Sequence, residues 1–369
     1  MRITLEQARL LKSLHMIEHA VNDRSALPIL ANVLLETTQQ ELLLTATDLD
    51  VGVRYRLPLT DAPEEGAVTL PARRLSTIVR EFPEELVTIE VKNNHAAIIT
   101  CGPSRFRLPG LPAEDFPVFP QYDPAGTSSI SQQALKTLIQ RTMFAMSLEE
   151  TRFILNGALL SITPEAVTLV ATDGRRLAVA SAPPTRASGN GASVVIPAKT
   201  IRELGRLLVE DEADEPVTIA ALKDNQLLFQ FGAVTVITRL LEGQFPHYES
   251  VIPAPATTTL TCDRALAAGA IRRASLMTTA ASQAVVFELA KERLVISKES
   301  TELGSAREDL PATYTGSPMS AAFNPEFWLD VLKVLDAEAL TIEISAPDKP
   351  AVIRLPHFTY LVLPMKLNA

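Results

Sequence analysis

Residues 169–180 read LVATDGRRLAVA. Apolar-alternating runs flank Thr172-Asp173-Gly174, and Asp-Gly between such runs is a strong hairpin signal, because both residues tolerate the backbone of a tight turn. The wording returns in residues 44–53, LTATDLDVGV, where Ala46-Thr47-Asp48 matches Ala171-Thr172-Asp173. The two aspartates lie 125 positions apart, and a fainter third copy, residues 294–306 (LVISKESTELGSA), begins 125 positions after Leu169. A period that long belongs to a domain-sized unit copied three times, not to a solenoid.

The chain of 369 residues accommodates three such units, each able to bury its own core. Its two cysteines, Cys101 and Cys262, fall in different copies, which argues against a disulfide framework and for a reducing compartment. The opening MRITLEQARLLKSL lacks the apolar core and cleavage site of a signal peptide, and no 18-residue apolar run occurs. The expectation is a cytoplasmic protein without a membrane span.

Each copy has one grammar: a short strand, a helix, a set of β runs, a second helix opened by a proline motif, and more β runs. The spacing predicts helices over 5–19, 72–81, 132–146, 198–209, 263–276 and 326–335. Ser131 and Asp263 read as N-caps, Pro71, Pro197 and Pro325 as openers. Strand-like runs include 29–36, 41–47, 52–57, 87–91, 96–100, 104–108, 155–162, 166–171, 176–181, 284–289, 294–298 and 306–310. Residues 183–192 read as an exposed loop and the acidic run 210–215 as a solvated turn. Pro364 marks the strand-like tail, 360–367, as an edge or a terminus. Phe116-Pro117 and Phe245-Pro246 close the first two copies, and Pro253-Ala254-Pro255 is a linker signature. The domain expectation is 1–122, 128–252 and 256–369. Without strict βαβ alternation, the class is α+β with antiparallel sheets and the helices gathered on one face.

Phosphate-loop, HExxH and GxSxG patterns do not occur, and Gly189-Asn190-Gly191 is no dinucleotide fingerprint. Of the five histidines only His15 and His19 share a helix face, and no cysteine or carboxylate joins them in sequence. Asp48 and Asp50 suit half of a carboxylate metal site. The positions after Asp173 are Gly174 and Arg175, and a charge pattern that changes between copies is turn chemistry. No metal, cofactor or catalytic residue is expected.

The net charge of −9 argues against nucleic acid, but its distribution does not. The six predicted helices sum to +7, leaving −16 elsewhere. If the helices share a face, that face is a polyanion track on an acidic body. The alternative is that Lys and Arg simply populate solvated helix faces.

Several segments together resemble the bacterial DNA polymerase III beta subunits, the sliding clamps. They are Leu27-Pro28-Ile29-Leu30, Thr47-Asp48-Leu49, Leu70-Pro71-Ala72-Arg73, Ser104-Arg105-Phe106, Leu111-Pro112-Ala113-Glu114-Asp115-Phe116-Pro117, Leu155-Asn156-Gly157, Ala171-Thr172-Asp173-Gly174, Arg176-Leu177-Ala178-Val179, Phe245-Pro246-His247-Tyr248 and Pro364-Met365-Lys366-Leu367. The resemblance implies three DNA-clamp domains with two inward helices each, sheets outside, and a head-to-tail homodimeric ring around duplex DNA. Contact with phosphates would be non-sequence-specific, from Arg24, Arg73, Arg80, Lys136, Arg141, Phe153, Lys199, Arg202 and Arg272. Ring closure would use Phe106, Leu108, Ser275 and Leu276.

A second implied site is a groove for short linear motifs of the polymerase III alpha subunit, the clamp-loader delta subunit, other DNA polymerases and repair proteins. Its residues would be Leu155, Thr172, Gly174, Arg175, Arg176, Leu177, Pro246, Val251, Val362, Leu363, Pro364 and Met365, with Arg175 and Arg176 meeting polar ends. Ser250 stands where the family often has Arg, Ile154 where aromatic residues often touch DNA, and Asn368-Ala369 extends past the usual terminus. A metal-dependent hydrolase using Asp48, Asp50 and Asp173, and a peptide scaffold with no DNA role, stay open.

Overall fold

Alternating apolar residues become strands that cover one sheet face, and the helices with apolar stripes pack on that face. A computed structural model of the chain describes every residue except 39, 61–62, 84, 93, 123–125, 188–190, 210–214 and 367–369. Most of the acidic run 210–215, part of the 189–191 glycine motif and the Asn368-Ala369 extension therefore lie outside the described residues.

The element order repeats three times. The first pass is β1 (Arg2–Glu6), α1 (Gln7–Ile17), β2 (Asn32–Thr37), β3 (Glu41–Thr47), β4 (Val51–Pro58), β5 (Gly66–Pro71), α2 (Ala72–Arg80), β6 (Leu86–Val91), β7 (Ala97–Cys101) and β8 (Ser104–Leu108). The second is β9 (Ser128–Ser131), α3 (Gln132–Thr142), β10 (Gly157–Ile162), β11 (Val167–Thr172), β12 (Arg176–Ala182), β13 (Ala192–Pro197), α4 (Ala198–Leu207), β14 (Pro216–Leu222), β15 (Gln226–Phe231) and β16 (Val234–Arg239). The third is β17 (Thr259–Asp263), α5 (Arg264–Ser275), β18 (Val285–Ala290), β19 (Arg293–Ser300), β20 (Gly304–Tyr314), β21 (Met319–Phe323), α6 (Pro325–Val334), β22 (Ala339–Glu343), β23 (Ala351–Leu355) and β24 (Phe358–Val362). These are three tandem α+β domains.

By contacts the chain forms two compact units. One comprises Met1–Gln133, Pro184–Gly189 and Arg202–Leu240; the other comprises Ala134–Pro183, Asn190–Ile201 and Leu241–Ala369. The first unit holds a four-stranded sheet, β1-β6-β7-β8, and an eight-stranded sheet, β5-β2-β3-β4-β16-β15-β14-β9. The second holds one twelve-stranded sheet, β13-β10-β11-β12-β24-β23-β22-β17-β20-β19-β18-β21. The named strand pairs are all antiparallel. Two of them bind successive copies into one unit: β4 pairs with β16, and β12 pairs with β24. This is why two units arise from three copies.

In the first unit α1 packs on α2 and on β3 and β4; in the second α5 packs on α6 and on β17 to β20. Asp263 caps α5, its Oδ1 accepting from the Leu266 amide at 2.7 Å, and Asn324 caps α6 ahead of Pro325. Phe287, Phe323 and Trp328 stack with centroids 5.3–5.6 Å apart in the core beneath α6.

Three local expectations change. Residues 28–31 form a 3-10 turn opened by Pro28, so β2 starts only at Asn32. The helix expected to Met146 ends at Thr142, followed by a 3-10 turn over Met143–Ala145. The tail strand stops at Val362, before Pro364, and lies between β12 and β23, so it is interior rather than an edge.

Candidate functional site

The β11–β12 hairpin is the base of the site. Thr172 pairs with Leu177, and the residues between them turn the chain. Asp173 Oδ1 accepts from the amides of Arg175 at 2.9 Å and Arg176 at 3.0 Å. Thr172 Oγ1 donates to the Arg176 carbonyl and accepts from the Gly174 amide. Gly174 has φ +84, which favours glycine, and a Cβ there would stand 2.7 Å from Arg152 Nη1, so a larger residue would displace that guanidinium. The β3–β4 turn repeats the scheme: Asp48 Oδ1 accepts from Asp50 and Val51, Thr47 plays the part of Thr172, and Leu49 takes φ +81. Both aspartates spend an oxygen on turn amides. Among the described residues no three His, Cys, Asp or Glu gather as a metal site.

The other edge of β12 pairs with β24, Arg176 opposite Val362. The chain then continues with the Leu363 amide donating to the Arg175 carbonyl at 2.9 Å and the Met365 amide to the Ala322 carbonyl at 2.7 Å. Beneath lies one buried cluster containing Leu155, Leu177, Phe245 and Leu361, with Ile154, Tyr248 and Ile252 packed against it. Around it Val251, Leu363 and Met365 are 56%, 40% and 37% exposed. The result is an apolar floor carried largely by strands, with an apolar rim from the 3-10 turn at Val251 and from the chain beyond β24. Thr172, Gly174, Arg175, Leu177, Leu155, Val362, Leu363, Pro364 and Met365 come together there. Pro246 is exposed beside Phe245, and Val251 ends the 3-10 turn that begins at Tyr248.

Arg176 does not meet the expected role at the rim. Its side chain is only 10% exposed and forms ion pairs with Asp173 at 3.1 Å and Asp330 at 2.8 Å. Its guanidinium lies 4.4 Å from the Phe327 ring centroid and 5.6 Å from that of Phe144. Desolvation opposes its charge, but the hydrogen bond it donates to Asp330, with Tyr360 and the neighbouring carboxylates, outweighs it and holds its pKa above the usual value. Exposed Arg175 is the rim cation. Two residues escape the sequence reading. Arg152 donates to the Asp173 carbonyl at 2.6 Å and ties the 150–155 turn to the hairpin. Tyr248 has its hydroxyl pKa pushed up to about 12, first by burial and then by Glu249.

The helices are more basic than expected. Observed helix bounds leave Glu6, Glu18, Glu81 and Asp263 just outside, so the six helices hold fourteen Lys and Arg against three carboxylates. Their net charge is +11, and the rest of the chain carries −20. Several of these cations have structural work. Arg206 donates to the carbonyls of His15 and Met16 at the end of α1, Arg264 to those of Leu332 and Ala337 at the end of α6. Arg73 pairs with Asp23, and Arg141 with Asp336 at 3.9 Å. Arg24, Arg80, Arg202 and Arg272 are exposed and have no side-chain ion pair among the described residues. Lys136 is half-buried and Lys199 exposed. Phe153 is 58% exposed, while its neighbour Ile154 packs into the groove cluster.

Of the four ring-closing candidates, Leu276 is 68% exposed and Phe106 is 42% exposed, edge-on to Phe82 at 5.6 Å. Ser275 Oγ donates to the Arg272 carbonyl. Leu108 is buried at 3%, so it anchors β8 in its own core rather than meeting another chain.

Comparison with known proteins follows the threefold order. Residues 1–120, 129–247 and 249–366 match the N-terminal, central and C-terminal domain models of the DNA polymerase III beta subunit. The chain is 33% identical to the beta sliding clamp of Pseudomonas putida and 31% identical to that of Chlamydia muridarum, with full coverage of both chains in each case. Solved clamps superimpose closely. That of Pseudomonas aeruginosa bound to griselimycin gives a TM-score of 0.94 at 34% identity over all of both chains. That of Bacillus subtilis gives 0.93 at 31% identity, over all of this chain and 99% of the other.

Proposed function

Because this chain belongs to the DNA polymerase III beta subunit family, the sliding clamps, which are non-catalytic processivity factors of DNA replication, we propose that it closes with a second copy, head to tail, into a ring of six domains around duplex DNA. The domain bounds proposed are 1–122, 128–252 and 256–369, on the strength of the repeat; the family matches run 1–120, 129–247 and 249–366. The family supplies DNA, polymerase and a dimer as partners; the cytoplasm is the compartment proposed.

One observation carries the reading. The fourth strand of the first copy, β4, pairs with the last strand of the second, β16, and β12 pairs likewise with β24. Among the described residues the last strand of the first copy, β8, ends its sheet, and the fourth strand of the third, β20, meets β17 only at Ala312–Tyr314 and has β19 alone along Gly304–Pro311; neither has a mate of the β4–β16 kind. A second chain supplies both, which makes a heterologous contact that closes on itself. β8 carries Arg105 and Arg107, and β20 carries Arg307, Glu308 and Asp309, a net charge of −1 with Glu308 already paired to Arg273, so charge adds only a small preference. Phe106 and Leu276 are the apolar anchors of the proposed seam.

Within the ring, Arg24, Arg73, Arg80, Lys136, Arg141, Lys199, Arg202 and Arg272, with Phe153, face the duplex. Phosphate contacts through long basic side chains and water read no base, so the ring slides. Retention then comes from topology rather than affinity. The test is to load the protein on nicked-circular and on linear duplex DNA of equal length. Retention on the circle and rapid loss from the linear form are expected; equal loss from both removes the ring.

The groove takes short linear motifs of the replicative polymerase's alpha subunit, the clamp loader's delta subunit, and other polymerases and repair proteins. An aliphatic anchor sits over Leu155 and Leu177, and Arg175 meets a polar or acidic end of the motif. Removing residues 365–369 takes away Met365 and the tail anchored at Ala322. Polymerase-motif binding by fluorescence anisotropy is expected to be lost, with the dimer intact by sedimentation. Undiminished peptide affinity removes the groove assignment.

A further inference from the structure

The first unit carries a second recess, a cavity of about 490 Å³. Leu43, Arg54 and Arg56 alternate with buried Leu42, Leu44, Val53 and Leu57, so they occupy the sheet face opposite the one on which α1 packs. The register puts Leu43 opposite Arg56, and Arg54 opposite Thr45 and Thr235. Phe119 and Tyr122 pack across the neighbouring strands onto Ala220, Leu228 and Ile237, and the Tyr122 hydroxyl donates to Gln230. The recess thus has a cationic floor and an aromatic wall.

Its charges are unevenly paired. Arg54 lies 4.2 Å from the Phe119 ring centroid and donates to Thr45 Oγ1 at 2.9 Å; among the described residues Glu36 is the one carboxylate paired with it, at 3.4 Å. Arg56, half-buried two positions along the same strand, has no side-chain partner among the described residues. Glu41 stands in the lining without pairing to either. Burial and the charge of Arg56 both work against the proton on Arg54, and Glu36 only partly offsets them. An incoming anion relieves that repulsion.

We propose that this recess binds a short acidic peptide segment, one carboxylate bridging Arg54 and Arg56 and an adjacent aromatic or aliphatic side chain lying against Phe119 and Leu228. A bidentate guanidinium–carboxylate pair supplies direction, and the apolar wall supplies burial. A peptide fits better than nucleic acid. The chain outside its helices carries −20, so an extended polyanion is repelled where a single carboxylate is admitted. The β4–β16 seam that bears the recess also holds the same place in the element order as the β12–β24 seam that bears the groove. The proposal stands independently of the groove.

The test uses the full-length protein and two probes, N-acetyl-phenylalanyl-aspartate and its uncharged diamide, followed by saturation-transfer NMR. The acid is expected to bind and the diamide to bind about tenfold more weakly, as one lost charge-assisted contact implies. Arg56→Glu is expected to weaken the acid by at least about tenfold, Arg56→Gln by somewhat less, and Leu363→Asp in the groove not at all. Thermal unfolding of each variant verifies its fold. No binding to the unaltered protein at about 10 mM acid probe overturns the proposal. So does binding indifferent to both Arg56 variants, loss with Leu363→Asp instead, or displacement of the probe by oligothymidylate.

Discussion

Leu276→Lys is expected to convert the protein from dimer to monomer at micromolar concentration. Leu276 follows α5 and is 68% exposed in the single chain, so the change costs the isolated fold little. In the proposed seam it is an apolar anchor. Replacing it removes that burial and leaves an ammonium with no partner to satisfy it, beside Arg272 and Arg273, which are already cationic. A central anchor lost in this way costs on the order of 3 kcal/mol, or more than a hundredfold in dissociation constant. Sedimentation velocity reads the mass. The variant is also expected to fall off circular DNA as fast as off linear DNA while still binding the polymerase motif, because the groove lies on other elements. An unchanged dimer would take Leu276 out of the seam and leave the pairing of β8 with β20 resting on Phe106 and the strand edges.

How far the sequence carried depended on the range of the interaction concerned. The Asp-Gly hairpin, the Asp263 cap and the Asn324-Pro325 opening are written within four residues and appear where local rules put them. The threefold order was legible because one turn is used twice with the same Thr and Asp bonds. Long-range pairing was not legible. Pro364 marks the tail as an edge or a terminus; the strand does end just before it, but β24 is interior to the sheet because β12, far earlier in the chain, accepts its free side. The rim role of Arg176 comes from the family resemblance alone, and the carboxylate that draws its side chain inward, Asp330, is 154 positions away and not legible locally. Arg152 sits over the hairpin from a turn with no regular period. The helix charge was undercounted because capping carboxylates were assigned to helices that begin or end one residue short of them.

Arg176→Ala is expected to lower stability by about 2–3 kcal/mol: Asp173 and Asp330, 17% and 31% exposed, lose the guanidinium they share, while Lys333 stays 3.8 Å from Asp330. Arg176 is the point where the β11–β12 turn, α6 and two aromatic rings meet: Asp173 comes from the turn, Asp330 and Phe327 from α6, Phe144 from the 3-10 turn after α3. Deleting the guanidinium leaves Asp173 and Asp330 without the cation they share, in a partly exposed site. Urea denaturation reads the loss. Arg176→Lys is expected to recover only part of it, since an ammonium cannot serve two carboxylates in a fork while stacking on Phe327. The double change Arg176→Ala with Asp330→Ala is expected to be less destabilising than the two single effects added, because it removes the uncompensated charge as well as the bond. Groove affinity should fall with Arg176→Ala even where the protein is still folded, because Leu177 and the Arg175 carbonyl that holds Leu363 are its immediate neighbours on the chain. A loss under about 1 kcal/mol would mean that water replaces the guanidinium, as at an ordinary surface ion pair. The groove floor would then owe its shape to the apolar cluster alone.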